Sequence, residues 1–315
     1  MATSSSRRHN RFSADATALA AAAWTELGVS GWTSSHADWG IDPEPLILFT
    51  AWLGDTDPRL RDESLDWCIR NWRLISKNRL RNLAAAQPAD VRDAFAEYAA
   101  TVATHAGITW PGASEPRRYI VTGRSTQPAL ERPAAAWLRM RALLGIGARA
   151  EILRCLLSSP SPALGTARLA ELTGYTKRNV AEECDTLHRA GLLAVRTRGN
   201  RFTYSLRRRA ALEEFVGGLP TVRPNWTSLF NITRELVSLE GRARSASLTT
   251  LPVHVRRALD RMADDLDELD IEAPDRGIVG EDLWHAVRSF GDRHLRAWAM
   301  GEWPESGEAA VLQLR

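Results

Sequence analysis

The segment from Ala148 to Leu206 constrains the fold of this chain more than any other part of its sequence. Apolar residues recur there at helical spacing, turn signals interrupt them, and two short alternating stretches follow. The pattern first predicts a helix over Ala148–Leu157 and a short helix over Ala167–Leu172 that is capped by Thr166. After a turn at Gly174, a third helix is predicted from an N-cap at Thr176 to Arg189, and Gly191 ends it. Two strands, over Leu192–Thr197 and Arg201–Leu206, are then joined by a tight turn at Gly199–Asn200.

The helix that follows Gly174 has one apolar face and one polar face. Val180, Cys184 and Leu187 fall at i, i+4 and i+7, so we predict that they face the core. In a helix-turn-helix the second helix lies in the major groove of DNA, with its N-terminal residues at the base edges. The residues predicted to contact DNA from this helix are Thr176, Lys177, Arg178, Asn179 and Glu182. Glu182 and Glu183 in the same helix weigh mildly against DNA binding, because a carboxylate beside phosphates weakens binding unless it reads cytosine.

The predicted hairpin carries several cations around its turn. Phe202, Tyr204 and Leu206 alternate and are expected to face inward. The opposite face and the turn hold the residues predicted to reach phosphates or an adjoining minor groove, which are Arg196, Arg198, Asn200 and Arg201. We interpret the hairpin as the wing of a winged helix-turn-helix.

The distribution of charge points to the same segment. The whole chain has a formal net charge of +3. Residues 148–209 hold twelve Lys or Arg against five Asp or Glu, a local charge of +7, which leaves −4 for the rest. Such an asymmetry is expected where one segment meets a polyanion.

The stretch LAELTGYTKRNVAEECDTLHRAGLLAVRTRGNRFTYSL resembles the winged-helix regulators of the MarR and ArsR types. The resemblance implies a dimeric transcriptional regulator that binds double-stranded DNA, with repression as the expected mode. It covers about a fifth of the chain. The cysteine cluster that opens the recognition helix in some ArsR-type sensors is absent, and the long helical flanks match neither family. A winged helix can also serve protein contacts alone, because a fold does not determine its function.

The remaining sequence predicts a mainly α protein with helical regions on both sides of the central segment. The expected divisions are a disordered basic tail over residues 1–18, a helical domain over 19–107, a linker over 108–132 with a short strand at Tyr119–Val121, the winged helix-turn-helix over 133–209, and a C-terminal helical region over 210–315. Apolar stripes on the helices flanking residues 148–206, which include Leu259, Met262, Leu266 and Leu269, are expected to be available for a homodimer interface. The C-terminal region is expected to serve dimerisation or to bind a protein partner or ligand.

Other signals are weak. Cys68, Cys155 and Cys184 are scattered, which is typical of a reducing cytoplasm rather than of disulfides or a zinc site. Cys184 and His188 lie four residues apart but lack further ligands nearby. The twelve tryptophans are interpreted as packing residues, with an aromatic-lined ligand pocket as the alternative. No transmembrane run, catalytic motif or cofactor loop is found, so no membrane association, enzyme activity, metal or cofactor is expected.

Two further hypotheses stay open. The chain could be the antitoxin-like subunit of a toxin–antitoxin or defence operon, in which the winged helix regulates its own operon and the acidic C-terminal helices restrain a basic partner. It could also be an enzyme with a winged-helix appendage, whose chemistry would have to lie within residues 19–107.

Overall fold

The computed structural model describes residues 11–33, 36–54, 56–112, 114–247 and 249–304, and these form a mainly α-helical structure. Within these ranges there are thirteen α-helices and one three-stranded antiparallel sheet. The elements in chain order are α1 (Arg11–Glu26), α2 (Pro43–Leu53), α3 (Pro58–Asn71), α4 (Lys77–Ala85), α5 (Ala89–Ala106), α6 (Ala136–Leu144), α7 (Ala148–Ser158), β1 (Leu164–Gly165), α8 (Thr166–Thr173), α9 (Lys177–Arg189), β2 (Leu193–Arg198), β3 (Arg201–Leu206), α10 (Arg209–Val216), α11 (Trp226–Ala243), α12 (Leu251–Glu268) and α13 (Glu281–Ala299). None of the helices in the described ranges is both long enough and apolar enough to span a bilayer.

The chain divides into two compact units whose limits differ from the predicted domain boundaries. Among the described residues, one unit combines residues 11–25, 32, 33 and 36 with those from Pro224 to Pro304. The other contains residues 26–31 and 37–223. The predicted boundaries at 107, 133 and 209 therefore fall inside one unit, because turn-rich composition marks the end of a helix but does not reveal what the next segment packs against.

The first unit contains α1 and α11–α13, and it corrects the expectation of a disordered tail over residues 1–18. Residues 1–10 lie outside the described ranges, but α1 begins at Arg11 and buries Phe12 and Ala16. Gly291 on α13 makes room for the Phe12 ring, since a Cβ there would lie 2.5 Å from the ring. The backbone N–H of Phe12 also donates to Glu240 on α11 at 3.2 Å. Apolar residues ahead of the Ala-rich run thus extend the helix further towards the N-terminus than its polar composition suggested.

The apolar stripe of α12 is buried within this same unit. Leu259, Met262 and Leu266 are at most 2% exposed. They are therefore not available as a dimer interface, which corrects the interpretation of that stripe as an association surface. Trp226 and Trp298 are buried as well, in agreement with a packing role for the tryptophans.

The second unit begins with α2–α5, and the segment predicted as a linker is attached to them. The backbone N–H groups of Thr122, Gly123 and Ser125 donate to the Asp66 carboxylate on α3 at 2.8–2.9 Å. The hydroxyl of Tyr119 donates to the carbonyl of Asp62 on the same helix. Tyr119–Val121 does not form a strand, because these hydrogen bonds attach the segment to α3 rather than pairing it with a neighbouring strand.

The remainder of this unit follows the predicted order of helices and strands closely. Helices α7, α8 and α9 pack around a core that includes Ile152, Leu169, Val180 and Leu187. The antiparallel pairing of β2 and β3 places Leu193 opposite Leu206 and Arg198 opposite Arg201. The strand β1 adds to the outer edge of β3, with Leu164 opposite Tyr204. Two residues are too few for a periodic signal, which is why sequence analysis did not predict this strand.

Candidate nucleic-acid interface

The first turn of α9 exposes four polar side chains. Thr176 is the N-cap, and its hydroxyl accepts from the Asn179 backbone N–H at 3.3 Å, as predicted. Thr176, Lys177, Arg178 and Asn179 are all exposed. The Thr176 hydroxyl also donates to the Asn179 side-chain oxygen at 2.6 Å, which leaves the Asn179 amide N–H groups directed to solvent as donors.

Arg178 and Glu182 form an ion pair on this surface. The Arg178 Nε atom donates to Glu182 Oε1 at 2.8 Å, and the two side chains are 87% and 62% exposed. The hydrogen bond and the charge of Glu182 raise the pKa of Arg178, which therefore stays a cation. Because water surrounds the pair, another hydrogen-bond acceptor can replace Glu182 at little cost.

The opposite face of α9 is held in the core. Val180, Cys184 and Leu187 are at most 2% exposed, as predicted. Burial, followed by the nearby charge of Glu183, raises the pKa of the Cys184 thiol to about 12. The Arg149 side chain on α7 donates to Glu183 at 3.1 Å and fixes the helix from its flank. These contacts keep the polar face of α9 directed away from the core.

The hairpin places its three arginines on one face. Arg198 stands directly opposite Arg201, and Arg196 lies two residues before Arg198 on β2, so all three share a face of the ribbon. Gly199 opens the turn with a φ of +58°, a conformation that favours glycine, and the adjacent Asn200 is exposed. Like charges directly opposite each other destabilise a β-ribbon, so this arrangement has an electrostatic cost in the protein alone.

Phe202 differs from its predicted environment. It lies on the same ribbon face as Tyr204, but it is 48% exposed whereas Tyr204 is 5% exposed. Thr197, which pairs with Phe202, is exposed as well. The core covers only the base of the ribbon, so strand alternation predicted the correct face of Phe202 but not its burial.

Thr166 does not cap α8 as predicted, because the helix already includes it and Gly165 takes the N-cap position.

Ion pairing divides the charges of residues 148–209 into two groups. Each of the five carboxylates has a cationic partner. Within the described ranges, the exposed cations of this segment that take part in no ion pair are Lys177, Arg196, Arg198, Arg201, Arg207 and Arg208. Within residues 148–209, exposed cations in no ion pair are thus found at the start of α9 and on the hairpin with its exit.

The turn before α9 adjoins a buried ionic cluster that sequence analysis did not detect. The cluster consists of three carboxylates and three guanidinium groups, whose side chains are at most 12% exposed: Asp42, Glu44, Glu151, Arg79, Arg141 and Arg154. Arg79 binds Asp42 through two parallel bonds of 2.5 and 2.6 Å, and Arg141 binds Glu44 through two bonds of 2.7 Å. Glu151 accepts from Arg141 at 2.9 Å and from Arg154 at 2.8 Å.

The cluster is electrically balanced, and its charges hold one another ionised. Burial alone would raise the pKa of Glu151, but Arg141, Arg154 and Arg79 outweigh it and hold that pKa far below its usual range. The pKa of Asp42 is lowered in the same way, with Arg79 and Arg154 overcoming burial. Two sequence signals hinted at this cluster. Glu44 stands between two prolines in an apolar helix, and Arg141 continues the stripe of Trp137 and Leu138.

Cys184 and His188, which lie four residues apart on α9, have different surroundings in the structure. Cys184 lies in the core, and the His188 ring nitrogen Nδ1 is hydrogen-bonded to the carbonyl of Leu193 at 2.9 Å. Across the part of the chain that the structure describes, no three His, Cys, Asp or Glu side chains are grouped to hold a metal ion.

Comparison of the chain with models of known protein families, with curated proteins and with solved structures found no significant match.

Proposed function

We propose that this protein is a transcriptional regulator whose residues 133–209 form a winged helix-turn-helix that binds double-stranded DNA sequence-specifically. The observation that carries the proposal is that, within residues 148–209, the exposed cations in no ion pair lie at the start of α9 and on one face and the exit of the β2–β3 hairpin. Duplex DNA is a dense polyanion, and cations that form no ion pair within the protein can neutralise its phosphates without losing an existing one.

The two cationic surfaces suit two different parts of a duplex. Helix α9 would enter the major groove, where Arg178 can bind guanine and the free amide of Asn179 can donate to a base acceptor. The hairpin would follow the phosphate backbone with Arg196, Arg198 and Arg201. Glu182, once released from Arg178, would accept from the amino group of cytosine.

Such regulators commonly bind two half-sites as a two-fold dimer, and we include a homodimer in the proposal. Its interface is expected outside α12, whose apolar stripe is already buried. Measuring the molecular mass of the protein with and without DNA tests whether it forms a dimer.

The experiment that tests the proposal compares two kinds of variant. A preferred sequence is first selected from random duplexes with the wild-type protein, and affinity is then measured on that sequence and on random DNA. We expect Arg178→Ala and Asn179→Ala to reduce affinity about tenfold to a hundredfold on the selected sequence, but much less on random DNA. Arg198→Ala should instead weaken binding equally on both and reduce the slope of log K against log salt by about one.

The matched control is Arg189→Ala at the other end of α9, where Arg189 is paired with Asp185 at 3.0 Å. It should leave both affinities nearly unchanged. Equal, sequence-independent losses for Arg178→Ala and Arg198→Ala would contradict the placement of α9 in the major groove.

A further inference from the structure

The turn between α8 and α9 is bound by residues of α4, a helix that precedes it by about ninety residues. The Nε atom of Arg79 donates to the carbonyl oxygen of Thr173 at 2.9 Å, and the Nδ2 atom of Asn82 donates to that of Gly174 at 2.8 Å. The hydroxyl of Tyr175 is hydrogen-bonded to that of Ser76, the N-cap of α4, at 2.6 Å. Three successive residues of the turn are therefore fixed by one helix.

Side chains of α4 also pack closely against the same turn. Gly174 adopts a φ of +69°, and a Cβ at this position would lie 3.2 Å from the Cγ atom of Arg79 and 3.4 Å from a methyl carbon of Leu83. The turn thus requires glycine both for its conformation and for the close approach of α4. Arg79 cannot move away, because its other nitrogens are bound to Asp42 and Glu44 in the buried cluster.

We propose that Asn82 and Arg79 are positioning residues that set the orientation of α9 on DNA, although α4 carries none of the residues assigned to DNA contact. This inference rests on the proposed function. The physical reason is that Thr176, the cap of α9, follows directly after the three residues that α4 holds. A small rotation of this turn displaces the first turn of α9, where Arg178 and Asn179 stand. Base readout depends on accurate positioning of these two side chains, whereas phosphate binding depends mainly on charge.

Asn82 allows the inference to be tested without unfolding the protein. It is exposed and donates to the Gly174 carbonyl, so its replacement removes this bond without disturbing core packing. Asn78 lies one turn earlier on the same helix, is also exposed, and makes no hydrogen bond to the turn. Asn78→Ala is therefore a matched control for Asn82→Ala, with the same change of residue in the same helix.

Both variants are compared with the wild type in DNA binding and in amide hydrogen exchange. We expect Asn82→Ala to bind the selected sequence about fivefold more weakly, with unchanged affinity for random DNA and an unchanged salt slope. Exchange of the amides of residues 174–179 should become faster in Asn82→Ala, whereas Asn78→Ala should match the wild type in every measurement.

Exchange is measured without DNA, so the two proposals can fail separately. Faster exchange in Asn82→Ala, combined with no duplex binding by the wild type, would refute the proposed function and with it the role of α4 in DNA readout. If the wild type binds DNA but Asn82→Ala and Asn78→Ala are indistinguishable on the selected sequence, the positioning role alone is overturned. An equal loss on selected and random DNA would overturn it too, because positioning predicts a loss of discrimination.

Discussion

Replacing Glu151 by Gln removes one charge from the buried cluster and keeps the shape of the side chain. Glu151 is 1% exposed and accepts from Arg141 and Arg154, while Arg79 lies 3.7 Å away. The wild-type cluster contains three positive and three negative groups. In Glu151→Gln three guanidinium groups share two carboxylates, so one positive charge in the interior lacks compensation.

The size of the effect follows from that imbalance. Removing one partner of a buried ion pair typically destabilises a protein by about 3–5 kcal/mol, since the remaining charge stays out of water. The exposed pair Asp185–Arg189 provides the contrast, with side chains 64% and 71% exposed. Because solvent screens that pair, Asp185→Asn should change the free energy of unfolding by less than about 0.5 kcal/mol.

Urea unfolding of the three proteins at pH 7 gives the comparison. A loss of about 3–5 kcal/mol for Glu151→Gln, against nearly none for Asp185→Asn, is expected. The pH dependence supplies a second check. Folding lowers the pKa values of Glu151 and Asp42. The stability that these two carboxylates contribute is therefore complete above about pH 4.3, the ordinary pKa of a Glu side chain, and is lost as the pH falls towards their pKa values in the folded protein. Glu151→Gln should lose less stability than the wild type over that interval. A variant as stable as the wild type at pH 7 would refute this account of the cluster.

Three further predictions concern α9 and the cysteines. Leu187→Ala should lower the free energy of unfolding by roughly 2–5 kcal/mol in urea, because it leaves a cavity under α9, and a loss below 1 kcal/mol would contradict the packing described. Thr176→Ala should cost about 1 kcal/mol through loss of the N-cap bond, whereas Thr176→Ser should restore it. Cys68, Cys155 and Cys184 are all buried, so a thiol reagent at pH 8 should modify the native protein far more slowly than the urea-unfolded protein, and rapid labelling of the native form would contradict their burial.

Local periodicity predicted the elements of the candidate site well. The N-cap at Thr176, the end of α9 at Arg189, the pairing around Gly199–Asn200 and the inward face of Val180 and Leu187 all follow from residues close in sequence. Each depends on a rule that acts over four residues or fewer, namely capping, helical spacing, strand alternation or turn chemistry.

The features that sequence analysis missed depend on residues far apart in the chain. Arg79 meets Thr173 across ninety-four positions, and Arg141 meets Glu44 across ninety-seven. A single charged residue on an apolar stripe indicates that a partner exists, but it does not say where the partner lies. The assignment of the start of α1 to a tail failed for the same reason, since the Phe12 ring packs against Gly291, which lies far away in the sequence.

The central claim is that the cations of α9 and the hairpin bind duplex DNA, and the most direct measurement is the affinity of the protein for a labelled duplex at several salt concentrations. The comparison protein is the triple variant Arg196→Ala, Arg198→Ala, Arg201→Ala, which removes the cationic face of the hairpin. We expect the wild type to bind with log K falling linearly as log salt rises, and the variant to show a slope smaller by about three. Absence of duplex binding by the wild type at low salt, or an unchanged slope in the variant, would contradict the claim.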